Sequence, residues 1–121
     1  MYEQWAERWR VLGDATRLHI LRLLSVRDAC VCELVDLLPI SQSAVSQHLR
    51  KLKNAGLVRD YRNKSWVFYA LRSDIPPAVL SLLQELPVPD TEAAWLRGHQ
   101  VGEACSPPVT RSGGDAKVGP E

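Results

Sequence analysis

The sequence predicts a mainly α-helical domain with one β-hairpin, and three observations predict it. Before Gly56, apolar residues recur at three- and four-residue spacing in four segments, each bounded by a capping residue, a glycine or a proline. After Gly56 the period shortens, and the strings LVRDYR and SWVFYAL are rich in β-branched and aromatic residues. Charge is segregated: residues 41–72 hold seven Lys/Arg against one Asp/Glu, whereas residues 1–40 hold five against six and residues 73–121 three against seven. A net charge of +1 over 121 residues thus conceals a basic centre between acidic ends, as in a chain whose middle meets a polyanion.

Trp5, Trp9 and Leu12 fall four and three residues apart, so residues 2–12 read as an amphipathic helix that Gly13 ends. Asp14 then caps a second helix, ATRLHILRLLS, with Leu18, Leu21 and Leu24 or Leu23 on its apolar face. DACVCELVDLL reads as a third, short helix with Asp28 as N-cap, stopped by Pro39. Ser41 caps a fourth, SQSAVSQHLRKLKNA, in which Ala44, Val45, Leu49 and Leu52 turn inward and Gly56 supplies the left-handed C-terminal position. The two strands that follow are joined at Asn63 and Lys64. PPAVLSLLQEL returns to helical spacing, with proline tolerated in the first turn, and a further short helix is expected around EAAWLR. Beyond His99 the residues are mainly Gly, Pro, Ser and charged, with little to bury. The expected organisation is one folded domain over residues 1–98 and a disordered tail over 99–121, with no internal repeat.

The longest apolar runs fall short of a membrane span, and MYEQWAERWR lacks the apolar stretch of a secretion signal, so a cytoplasmic protein without a membrane partner is expected. Three cysteines, an odd number with two almost adjacent, make a poor disulfide framework. Packing, soft-metal binding and redox chemistry remain for them.

Two short helices joined by a tight turn, the second with a polar and basic outer face, followed by a basic hairpin, have the order of a winged helix-turn-helix. The second of these helices fits the major groove: Gln42, Ser43, Ser46 and Gln47 would reach base edges, Arg50 and Lys51 phosphates, and His48 would serve DNA or helix packing. Arg59, Arg62, Asn63 and Lys64 on the hairpin would then contact the backbone or minor groove. A charged outer face alone is common on any solvated helix, but the charge segregation and the following hairpin favour duplex DNA.

Residues 11–72, with VLGDATRLHILRLL, CVCELVDLL, ISQSAVSQHLRKLKNAGLV and the hairpin up to YALR, resemble the ArsR/SmtB family of metal-sensing transcriptional repressors. The resemblance implies a homodimer that binds an inverted-repeat operator when free and leaves it on binding an inducer. The CVC box is similar to that of the family's arsenite and antimonite responders, whose cysteines map onto Cys30 and Cys32. Those responders often carry a further cysteine three positions on, where this chain has Val35. Cadmium and lead sensors add cysteines near the N-terminus, and none precedes Cys30; zinc and nickel sensors often use His and carboxylates on the last helix, where residues 75–86 offer only Glu85. Trivalent arsenic or antimony is therefore the expected inducer, with cadmium, lead or thiol oxidation as alternatives within the same fold.

A C-x-C pair offers two soft thiolates suited to a thiophilic ion. Their place in a first helical turn beside Arg27 is expected to lower the thiol pKa. Free cysteine also packs as a small apolar group, but on a regular helix positions two apart face roughly 200° away from each other, so both cannot be core. The same geometry keeps them from one ion unless the start of the helix unwinds, which would make this segment a switch. Cys105 is the remaining candidate for a third sulfur, carried on a tail whose composition allows long reach; the alternative is an incidental thiol, with glutathione or water in the third position. His19 reads as a packing or surface histidine. Trp5 and Trp9, with Val79, Leu82, Leu83 and Leu86, read as a dimer interface. A dithiol redox enzyme is the competing class, but no thioredoxin-like strand precedes the pair and no His or carboxylate set supplies a base.

Overall fold

In the computed structural model, which describes residues 1–89 and Glu92, five helices and three strands follow the expected order with one addition. They are α1 (Tyr2–Leu12), α2 (Ala15–Val26), β1 (Ala29–Cys30), α3 (Val31–Leu37), α4 (Gln42–Asn54), β2 (Val58–Asn63), β3 (Trp66–Leu71) and α5 (Pro77–Gln84). The helix expected around EAAWLR, the tail and Cys105 lie outside the described residues, Glu92 excepted.

Capping chemistry sets most boundaries. Asp14 accepts a hydrogen bond from the Arg17 N–H at 3.0 Å and opens α2, and Ser41 accepts from the Ala44 N–H at 3.2 Å and opens α4. Gly56, at φ 77°, lets the chain leave α4, with the Leu57 N–H returning to the Leu52 carbonyl at 3.0 Å. The last turn of α4 therefore feeds directly into β2.

α2 is the centre of the domain. Ile20, Leu21, Leu23 and Leu24 are buried, and the helix packs on α1, α4, α5 and β3. Val45, Leu49 and Leu52 of α4 join the same core, leaving the opposite side of α4 to solvent. Val79 and Leu83 of α5 are fully buried within the monomer. That corrects their expected place at a dimer face, since the spacing that packs α5 on α2 uses them. Leu82, 40 % exposed, and Trp9, 49 % exposed, remain outside the core.

The sheet is antiparallel in the order β1–β3–β2. The third strand was not expected, because two residues are too few for a periodic signal. The hairpin turns one residue later than expected: Asn63 still pairs with Trp66, and Lys64 and Ser65 make the tip. Lys64 is held at φ 61°, a left-handed conformation that costs an L-residue roughly 1 kcal/mol or more. Lys64→Gly is accordingly expected to stabilise the domain by about 1 kcal/mol, seen as a raised urea midpoint; an unchanged or lowered midpoint would contradict the strain.

Candidate dithiol site and nucleic-acid interface

The two adjacent cysteines straddle a junction between strand and helix. Cys30 ends β1 in an extended conformation (φ −91°, ψ 168°) and is itself the N-cap of α3, in place of the Asp28 expected from sequence. Asp28 instead accepts a hydrogen bond from the Tyr61 hydroxyl at 2.7 Å. Because the helix begins after Cys30, the opposed directions of a regular helix never arise. The two sulfurs lie 3.1 Å apart, so the expected need to unwind the helix is also corrected. Two sulfurs on one trivalent ion, with bonds of about 2.3 Å as in zinc thiolates and angles near a right angle, would lie roughly 3.3 Å apart.

A carboxylate holds the junction. Glu33, fully buried, accepts from the Cys30 N–H at 3.1 Å and from the Arg27 guanidinium at 3.1 Å. It stands at the third helical position, where an acidic side chain reaches back to the N-cap N–H. Arg27 also donates to the Asp28 carbonyl. Its charge is thus engaged by Glu33.

The cysteines differ in environment. Cys32 is exposed and disulfide-bonded, which corrects the expectation that the cysteines make no disulfide, whereas Cys30 is a free thiol, 3 % exposed, and packs with Phe68, Tyr61 and Trp66. Burial, with the nearby Glu33 carboxylate adding to it, pushes the Cys30 thiol up to about 12. This corrects the expected lowering: desolvation outweighs whatever the first turn of a short helix contributes. Among the described residues, no group of three or more His, Cys, Asp or Glu is placed to hold a metal ion.

The candidate DNA-facing residues occupy one contiguous unit. Gln42, Ser43, Gln47, Arg50 and Lys51 are exposed on α4, as are Arg59, Arg62, Asn63 and Lys64 on the hairpin; Ser46 is half-buried. Asp60, the single acid between residues 41 and 72, is ion-paired with Lys53 at 3.0 Å, linking α4 to β2. His48 is half-buried, its Nδ1 3.4 Å from Arg17, whose Nε donates to the Val11 carbonyl at 2.7 Å. His48 therefore seats α4 against the start of α2. His19 is half-buried and shares a 2.7 Å hydrogen bond with Glu92. Glu33, Arg17, Phe68 and the Asp28–Tyr61 pair were missed by sequence reasoning; the Glu three residues after Cys30 was the one legible signal, obscured because cysteine is a rare cap.

A capped helix with a basic face, seated by a preceding helix and followed by a basic hairpin in a small sheet, defines a winged helix-turn-helix transcriptional regulator. A family model described as bacterial regulatory protein, arsR family, matches residues 14–60. The chain is 40 % identical over 86 residues to an uncharacterised HTH-type transcriptional regulator of Methanocaldococcus jannaschii, covering 70 % of this chain and 97 % of that protein. It is 35 % identical over 107 residues to the arsenic resistance transcriptional regulator ArsR1 of Pseudomonas putida, covering 84 % and 82 %. Among solved structures, HlyU from Vibrio cholerae superposes with a TM-score of 0.62 at 35 % identity, covering 69 % of this chain and 90 % of that one. The chain belongs to the ArsR family of transcriptional regulators. Among the described residues no helix is long and apolar enough to cross a membrane.

The raised thiol has a consequence for stability. Folded Cys30 holds its proton to higher pH than the unfolded chain does, so its contribution is present below the unfolded value of 9.0 and is lost as the pH rises through that value towards about 12. Urea midpoints measured from neutral pH upwards should fall less steeply for Cys30→Ser than for the wild type; parallel curves would show that the thiol is not desolvated.

Proposed function

We propose that this chain is an arsenite- or antimonite-responsive repressor that binds operator DNA as a homodimer and leaves it when the trivalent ion bonds to Cys30 and Cys32. One observation carries the reading: two sulfurs stand 3.1 Å apart at the head of α3, and α3 packs directly on α4. Gln42, Ser43, Ser46 and Gln47 would read base edges, and Arg50, Lys51, Arg59, Arg62, Asn63 and Lys64 would hold phosphates, with His48 fixing the depth of α4. The name of the Pseudomonas putida relative is consistent with this inducer.

Residues 1–98 would form the DNA-binding and dimerisation domain. The exposed apolar side chains of Tyr2, Trp9 and Leu82 supply surface for a second copy, and two-fold symmetry would match an inverted repeat with half-sites about one helical turn, or a multiple, apart. Such a protein would act in the cytoplasm, where thiols stay reduced.

The state of Cys30 supports arsenite over a divalent ion. Once a cellular thiol has reduced the Cys32 disulfide by exchange, neutral arsenous acid, As(OH)3, carries its own base: each thiol proton leaves with a hydroxide as water, giving As(OH)(SR)2 and two waters from two thiols. A divalent cation must instead expel each proton to solvent, and a buried thiol with a pKa near 12 resists that. The third bond to arsenic would come from Cys105 of either protomer or from a small thiol.

Two tests follow from this chemistry. In an operator-release titration, Cys30→Ser and Cys32→Ser should bind DNA like the wild type and fail to release it with arsenite, since serine can still cap α3. Cys105→Ser should respond more weakly if its sulfur is the third ligand and normally if it is not. Release by arsenite in both box mutants would eliminate the site. Measured against pH below 8, cadmium affinity should climb about tenfold per unit for each proton expelled, while arsenite affinity stays flat; equal slopes would remove the basis for selectivity.

A further inference from the structure

Tyr61 reaches across the sheet. It stands on β2, opposite Phe68 of the middle strand, and its hydroxyl donates at 2.7 Å to Oδ2 of Asp28, the residue directly before β1. β1 pairs with β3 and not with β2, so this bond links the two sides of the sheet over its middle strand. Phe68 packs beside it, with the two ring centroids 5.6 Å apart. Burial and the Asp28 carboxylate push the Tyr61 hydroxyl up to about 12, so it remains a donor at every physiological pH.

Asp28 is a firm anchor for that bond. Its carbonyl accepts from the Arg27 guanidinium at 3.1 Å, and Arg27 is ion-paired at 3.1 Å with the buried Glu33. Tyr61 in turn carries a cation: the Arg59 guanidinium lies 5.1 Å from its ring centroid, within cation–π distance. Arg59 is exposed on the basic hairpin, while the ring it rests on is half-buried.

We infer that Tyr61 is a positioning residue for DNA binding: tied to Asp28, its ring holds the Arg59 guanidinium in the direction from which it meets a phosphate. This rests on the reading of Arg59 as a phosphate contact and on nothing at the cysteines. An exposed arginine samples many rotamers, and ordering it on a phosphate costs conformational entropy. One that already rests on a ring has less to lose on binding, provided that the ring itself is fixed. The hydroxyl supplies that fixing, because a ring held at its far end as well as at β2 keeps its tilt. Donating to a carboxylate also leaves the ring more electron-rich, which strengthens its hold on a cation.

Tyr61→Phe keeps the ring and removes the tie. The full chain would be titrated by fluorescence anisotropy, at several salt concentrations, against the duplex that the wild type enriches from a random-sequence pool. Arg59→Ala is the reference, since losing one phosphate contact should lower the slope of log affinity against log salt by about one. Tyr61→Phe should weaken binding about fivefold and remove most of that one unit, and the double variant should be no weaker than Arg59→Ala alone. Asp28→Ala should behave as Tyr61→Phe does, and it carries the test alone if Tyr61→Phe does not fold. Asp28→Asn keeps an acceptor for the hydroxyl and should stay within about twofold of the wild type. A role in stability alone would lower the urea midpoint and leave the salt slope of the folded protein unchanged. An unchanged slope in the folded variants, or additive losses in the double variant, therefore overturns the inference. If Arg59→Ala itself changes neither slope nor affinity, or the wild type enriches no duplex, the phosphate-contact reading has failed and the inference falls with it.

Discussion

The site depends on one buried carboxylate. Glu33 has no exposed surface, and its two oxygens receive the Cys30 N–H and the Arg27 guanidinium. The first bond ends β1 and starts α3 at the same residue; the second anchors that junction to the end of α2. A buried ion pair of this kind adds little net stability against an apolar alternative, but removing one partner costs about 3 kcal/mol or more, because the other charge stays desolvated. Its effect is to make one geometry of the junction far better than its neighbours. Cys30 stays extended, Cys32 falls in the first turn, and the sulfurs meet.

From that junction two rigid routes lead to the exposed basic residues. One runs through α3 into α4, whose depth is set by His48 against Arg17 and whose own core face is Val45, Leu49 and Leu52. The other runs through the strand pairing of Cys30 with Phe68 into the hairpin. Lys53 and Asp60 join the two routes at the surface, an exposed pair that contributes at most a few tenths of a kcal/mol and acts mainly on orientation. α4 and the hairpin are thus held by separate contacts to one segment.

Much of this was legible in the sequence, because caps and periodicity are local. Asp14, Ser41 and Gly56 act as the spacing rules expect, and α4 and the hairpin follow from them. The junction was not legible, because its conformation is imposed from afar. Ala29 and Cys30 are extended only because Tyr69 and Phe68 pair with them from some forty residues away. A two-residue strand has no period of its own, so the sequence pattern alone predicts helix from Asp28. From that error came the opposed sulfurs and the lowered thiol. The burial of Val79 and Leu83 was lost in the same way: an apolar stripe on α5 does not say whether it meets α2 or a second chain.

The asymmetry of the pair decides what each cysteine can do on the proposed reading. Cys32, exposed in the first turn of α3, would in its reduced form meet an ion from solvent. Cys30 ties the pair to the fold, because its backbone belongs to the sheet and its sulfur to the aromatic cluster. Were both buried, the ion would have to enter the core before either bond formed. A coupling free energy arises only if the bound and free states make different contacts, and the buried sulfur supplies that difference.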